Sequence, residues 1–332
     1  MGKTSVTAAS AVQWALNGEK GLVLTIDPAL RLRTALGMTG DALEQRVPLD
    51  SAPAHGELWA ALLDVPSTMD RMVRAHAGTA EAQKIVEHPV YKLLITSLAG
   101  MNELVAVERI DQAIAAGFEN IFIDTAPSRH VFEFLDKAEF FAQLVSFPLV
   151  KLVGRTYRWW HKTSFAVARA GSLDLYRRLQ QMFGAAQLSQ VLDFFAIFQP
   201  VAEGYARRAR QTLRMLRDPR QTAFTIVTTA ASAHRDSSYL FRELTKRDYF
   251  VEQLVLNRLW PDLRLRLSPG ALPGARDLAR WYETVRGSHS AIRNKVHADL
   301  NAKGLRVIDV PELSSDIDGI AALKQIAGKL AG

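Results

Sequence analysis

Five short apolar runs, at residues 21–26, 120–124, 223–228, 251–257 and 305–310, constrain this chain more than any other feature. They are rich in β-branched residues and nearly continuous in apolar character, the pattern of a strand covered on both faces. Helix-forming segments separate them. Strands alternating with helices close through right-handed parallel crossovers. The expected fold is therefore α/β, three-layered, with a mostly parallel sheet between helices. The first run is followed by Asp27 and the second ends at Asp124. Open parallel sheets bind ligands at this C-terminal edge.

Two stretches break the alternation. Residues 57–117 read as mostly helical, because Leu58, Ala61, Leu62 and Val65 fall on one helical face. Residues 140–217 are rich in aromatics and arginine and carry almost no strand pattern. The expected organisation is one domain, with a core of residues 1–56, 118–139 and 218–332. A helical subdomain from 57–117 and 140–217 is inserted into it. The chain of 332 residues has room for such an insertion.

The net charge of +7 is local: between residues 145 and 220, Lys and Arg outnumber Asp and Glu 13 to 4, leaving the rest near −2. One basic element is expected, not a nucleic-acid coat. Arg207, Arg208, Arg210 and Arg214 read as a solvated helix face. No nucleic-acid reader motif accompanies them. The absence of cysteine excludes disulfides, thiolate zinc sites and cysteine nucleophiles. No signal peptide and no run near the roughly 18 apolar residues of a spanning helix is visible, so a cytoplasmic protein is expected.

Gly2-Lys3-Thr4-Ser5 opens an apolar helical segment. It matches the end of the phosphate-loop pattern G-x-x-x-x-G-K-[ST]. Backbone N–H groups at such a helix start bind phosphate. Lys3 would reach the β/γ-phosphates and Thr4 would ligate Mg²⁺. Asp27 and Asp124 supply the carboxylates that phosphoryl transfer needs, one near the metal and one for the attacking water. Taken singly these residues have plainer readings. Asp27 suits a helix N-cap before Pro28, and Asn257 suits a strand-end turn. His130 suits a structural role.

Taken in order, the motifs resemble those of the ArsA/Get ATPases, the family of the arsenite-pump ATPase and of the ATPase that targets tail-anchored membrane proteins. The resemblance spans nearly the whole chain. Gly2-Lys3-Thr4 is similar to the end of K-G-G-V-G-K-T. Leu24-Thr25-Ile26-Asp27-Pro28-Ala29 resembles the first switch. Ala99-Gly100-Met101-Asn102-Glu103-Leu104 resembles P-G-x-x-E-L. Asp124-Thr125-Ala126-Pro127 with His130 resembles the second switch. Val255-Leu256-Asn257-Arg258-Leu259 resembles V-V-N-R-L, and Val310-Pro311-Glu312-Leu313 with Gly319 the adenine-side loop.

The resemblance implies a P-loop ATPase that binds ATP and Mg²⁺ and works as a homodimer or heterodimer. Asp27 would orient water, Asp124 would support Mg²⁺ directly or through water, and Gly2, Lys3, Thr4, Ser5, Asn257 and Pro311 would bind nucleotide. The helical subdomain would hold a client protein or a membrane surface. Its aromatics, among them Phe140, Phe141, Phe147, Trp159, Trp160, Phe194, Phe195 and Phe198, suit a core, a groove for an apolar helix, or a membrane-facing element around 151–162.

The departures from the family pattern carry expectations too. Met1 stands where the family has valine. The resemblance therefore places roughly a dozen residues of strand and loop upstream, including a lysine that reaches across the dimer. The alternative is a non-hydrolysing interaction subunit of a heterodimeric ATPase with an incomplete phosphate loop. Leu30 replaces a histidine and Ser128-Arg129 replaces Thr-Gly. Without cysteine, neither a zinc bridge nor an arsenite site is expected.

Overall fold

The computed structural model describes residues 2–26, 31–49, 56–97, 101–125, 132, 135–136, 185–230, 237–260, 272–313, 317 and 319–331. In chain order the elements are α1 (Lys3–Leu16), β1 (Lys20–Thr25), α2 (Arg31–Leu36), β2 (Glu44–Val47) and β3 (Glu57–Leu62). There follow α3 (Val65–His76), α4 (Thr79–Glu87), α5 (Pro89–Ser97), α6 (Met101–Ala115), β4 (Asn120–Asp124) and α7 (Ala185–Arg217). The chain closes with β5 (Phe224–Thr229), α8 (Ser238–Lys246), β6 (Val251–Leu259), α9 (Pro273–Asn301), β7 (Arg306–Pro311) and α10 (Ile320–Leu330). It is a mixed α/β protein with mostly parallel sheets, as expected of a P-loop NTPase fold.

The described residues divide between two compact units. One comprises Met1–Leu62, Gly117–Ser128 and Arg214–Gly332, the other Leu63–Ala116 and Arg129–Leu213. The first unit carries all the described strands. They form two sheets, β2-β3-β1-β4 and β5-β6-β7, parallel except for the antiparallel β2–β3 pair. Among the described residues, β4 pairs only with β1 and β5 only with β6. The α1 face made of Val6, Ala8, Ala9, Ala11, Val12 and Ala15 is fully buried. It shares one apolar core with Val23, Leu58 and Ala60 of the first sheet and with Val227, Val255 and Ile308 of the second. Small alanines let a helix lie close over a sheet, and each buried methyl(ene) adds about 0.8 kcal/mol.

The five apolar runs are all strands, within two residues of their expected bounds. Residues 57–62 correct the helical expectation. Glu, Leu and Ala are good helix formers, but here Leu58 to Leu62 pair in register with β1 and on the other side with β2. The sheet's ladder outweighs local propensity, so these residues belong to the strand-bearing unit and not to a helical insertion. The short polar strand β2 gave no sequence signal.

In the second unit, α3 to α6 pack together with most of α7. Asp64 caps α3 by accepting the Ser67 N–H at 2.9 Å. Tyr91 donates to Asp70 at 2.7 Å. Phe194 is fully buried, stacked on Phe198 with ring centroids 5.0 Å apart. These two rings are core, whereas Phe195 is exposed. Arg208 departs from the solvated face expected of it. It bridges Glu108 at 3.0 Å and Asp111 at 3.3 Å, while Arg207 and Arg214 stay in solvent. Phe140, Phe141, Phe147, Trp159, Trp160 and residues 151–162 lie outside the described residues. Among those described, no helix is long and apolar enough to cross a membrane.

Candidate functional site

The site starts with the return of α1 along the sheet. Its 14 residues span about 21 Å, and the six of β1 about 20 Å. Only Asn17, Gly18 and Glu19 join them. The helix therefore runs back along the strand, with its N-terminus level with the C-terminal end of β1. The strand-end residues of the first sheet lie at that level.

Gly2 caps α1 in the left-handed region, with φ 78° and ψ 25°. Val6 N–H donates to its carbonyl at 3.0 Å. No side chain caps the helix and no acidic residue lies in its first turn. The first N–H groups and the positive end of the helix dipole thus face outward with Lys3, Thr4 and Ser5, all half-exposed. That is the electrostatics of an anion site. Gly2 is also a steric requirement: a Cβ there would lie 2.2 Å from the Asn257 amide nitrogen. The phosphate-loop glycine and the expected base-contacting asparagine are thereby brought into contact.

Asn257 is 4% exposed, near the end of β6. Its register partner on β5 is Thr229, and Leu259, two residues on, pairs with Pro311 of β7. Asn257 and Pro311 therefore share one corner of the second sheet. In the first sheet, Asp124 closes β4 at 2% exposure and pairs with Thr25 of β1. The Thr25 hydroxyl donates to its carboxylate at 3.3 Å. Ile26 N–H donates to the Asp124 carbonyl at 2.9 Å, so β1 is held to the sheet edge up to the residue before Asp27. Asp27 and His130 themselves lie outside the described residues.

Sequence reasoning missed Thr25, whose role depends on strand register. It also missed the Arg258–Glu312 pair, at 3.8 Å across the ends of β6 and β7. Among the described residues no cluster of three His, Asp or Glu is arranged to hold a metal. The donors that fit Mg²⁺ are the Thr4 hydroxyl and the Asp124 carboxylate, both hard oxygens. They are too few for an octahedral shell, which Mg²⁺ completes with phosphate oxygens and water. These two oxygens would suit a metal that arrives with a phosphate ligand.

A Gly-Lys-Thr helix start level with the C-terminal edge of a parallel sheet defines a phosphate-loop α/β protein. The comparison of sequences is more particular. Residues 1–332 match the family described as anion-transporting ATPase, and the chain belongs to that ArsA family. Similar relatives include two Arabidopsis thaliana proteins. ATPase GET3C is 24% identical over 98% of this chain and 78% of its own length. ATPase GET3B is 23% identical over 98% and 74%. ATPase GET3 of Malassezia globosa is 23% identical over 98% of this chain and 86% of its own length.

Proposed function

We propose that this chain is a cytoplasmic ATPase that binds ATP with Mg²⁺, hydrolyses it, and couples its nucleotide state to its hold on a partner. The observation that carries the reading is the contact of Gly2 with Asn257, which sets the Gly-Lys-Thr helix start beside the strand-end asparagine. Membership of an ATPase family supports it. In this reading the N-terminus of α1 and Lys3 bind the phosphates, while Asn257 and Pro311 face the base. Thr4 and Asp124 hold Mg²⁺, which when bound neutralises phosphate charge. Asp27 orients the attacking water. The protein works as a dimer, with itself or a related ATPase, and its helical unit holds a client protein or a membrane surface.

The test is turnover of Mg-ATP by the purified chain and by Asp27→Asn. The variant is expected to bind ATP and lose hydrolysis. Turnover equal to that of the parent would remove Asp27 from the chemistry. Ser128-Arg129, where the family pattern has Thr-Gly, favours a second reading as a non-hydrolysing partner subunit. Robust turnover by the isolated chain would eliminate that reading. Turnover that appears only when a related ATPase is added would support it.

A further inference from the structure

We infer that Arg258 is a positioning residue for the base end of this site, and that it acts through its backbone. The inference rests on the nucleotide-binding reading above. From Leu256 to Leu259, β6 advances three residues while β7 advances two, from Asp309 to Pro311. One extra residue is thus inserted in β6. On its other side β6 is shifted against β5 between Phe224 and Thr225 but stays in step with it from Gln253 to Asn257. The irregularity therefore falls just after Asn257, at Arg258. There φ is 57°, a left-handed value that among the described non-glycine residues recurs only at Asp248. Such a bulge bends a strand and re-aims its side chains.

The surroundings over-determine this conformation, as a strained backbone requires. Leu259 carbonyl accepts the Glu312 N–H at 2.8 Å. Trp260 is packed among Trp281, Tyr282 and His289 of α9, with centroids 5.5 to 5.6 Å away. Strand and helix pin the chain immediately beyond the bulge. On the near side Asn257 is buried against Gly2. The Arg258 guanidinium lies mostly in solvent, and its ion pair with Glu312 is long, the kind that contributes little. What Arg258 supplies is a left-handed residue that lets Asn257 point inward while Leu259 rejoins Pro311.

Three substitutions separate backbone from side chain. Glycine and asparagine accept the left-handed region, whereas β-branched valine resists it. The full chain and the variants Arg258→Gly, Arg258→Asn and Arg258→Val are titrated with a fluorescent ATP analogue and, separately, with inorganic tripolyphosphate, which has no base. Arg258→Val is expected to weaken the ATP analogue about tenfold, the size of one left-handed strain, and to leave tripolyphosphate unchanged. Glycine and asparagine are expected to restore ATP affinity to within about twofold.

Equal loss in Arg258→Gly and Arg258→Val would overturn the inference, because the side chain would then be acting. Equal weakening of both ligands by valine would overturn it as well, as general destabilisation. A parent chain that binds neither ligand would sink the nucleotide reading and this inference together. A parent that binds both while the variants behave alike would sink the inference alone.

Discussion

Gly2 answers two demands at once, a left-handed backbone at the helix cap and the absence of a Cβ against Asn257. Alanine there meets about 1–2 kcal/mol of backbone strain and also displaces the Asn257 side chain. Gly2→Ala is therefore expected to weaken ATP binding more than tenfold, about 1.4 kcal/mol per decade, as read by titration calorimetry. Asp124 is constrained differently. Its carboxylate is buried and takes the Thr25 hydroxyl. Thr25→Val, similar in shape and lacking the donor, is expected to lower the melting temperature and the Mg²⁺ dependence of binding without abolishing either. At this scale the residue types of the site were legible. Gly2-Lys3-Thr4 stands at the start of α1, and Asp124, Asn257 and Pro311 stand at or near strand ends, positions that the sequence pattern already indicated. The constraints on them were not legible, since Thr25 and Arg258 matter only through register and backbone angle.

Between elements, the α6–α7 contact in the helical unit turns on Arg208. Glu108 is buried at 2% exposure, and burial raises its carboxyl pKa above the ordinary range while the adjoining guanidinium opposes that. Arg208→Met would leave this carboxyl without its counter-charge, a loss of about 3–5 kcal/mol in denaturant unfolding. The double variant Glu108→Leu with Arg208→Met should recover much of it. His76, exposed at the end of α3, is held below the ordinary histidine range by partial desolvation first and Arg208 second, with Asp111 opposing. A lowered folded pKa means that the unfolded chain takes the proton more readily. This contribution is present above pH 6.5 and lost as pH falls below it. Glu108 acts in the opposite sense, above its unfolded value of 4.5. His76→Gln is therefore expected to lose less stability than the parent between about pH 7 and pH 5.

The strands show why some elements could be read from sequence and others not. β1, β4, β5, β6 and β7 announce themselves through continuous apolar runs. β3 does not, because Glu57-Leu58-Trp59-Ala60-Ala61-Leu62 has helical composition and helical spacing. Only its two neighbours make it a strand.

At the scale of the whole molecule, a ligand that binds only the folded chain raises its stability by mass action. At one hundred times its dissociation constant, Mg-ATP is expected to add about 2.7 kcal/mol. Scanning calorimetry would show the transition rising with ATP. Removing divalent metal with EDTA should abolish most of the rise if Thr4 and Asp124 hold Mg²⁺. With two compact units, the trace need not be a single two-state step. A shift of one component with ATP would locate binding in one unit.

The one-sided pairing of β4 and β5 has a practical consequence for work with the isolated chain. Among the described residues β4 has a ladder partner in β1 alone and β5 in β6 alone, and a strand side without a ladder partner is a template for further strands. Asn120-Ile121-Phe122-Ile123-Asp124 is short, apolar and free of proline, the composition that recruits further strands. The purified chain should therefore self-associate as its concentration rises, visibly in light scattering. Thr225→Lys, which puts a charge at an exposed position of β5, should delay that association and leave the fold intact.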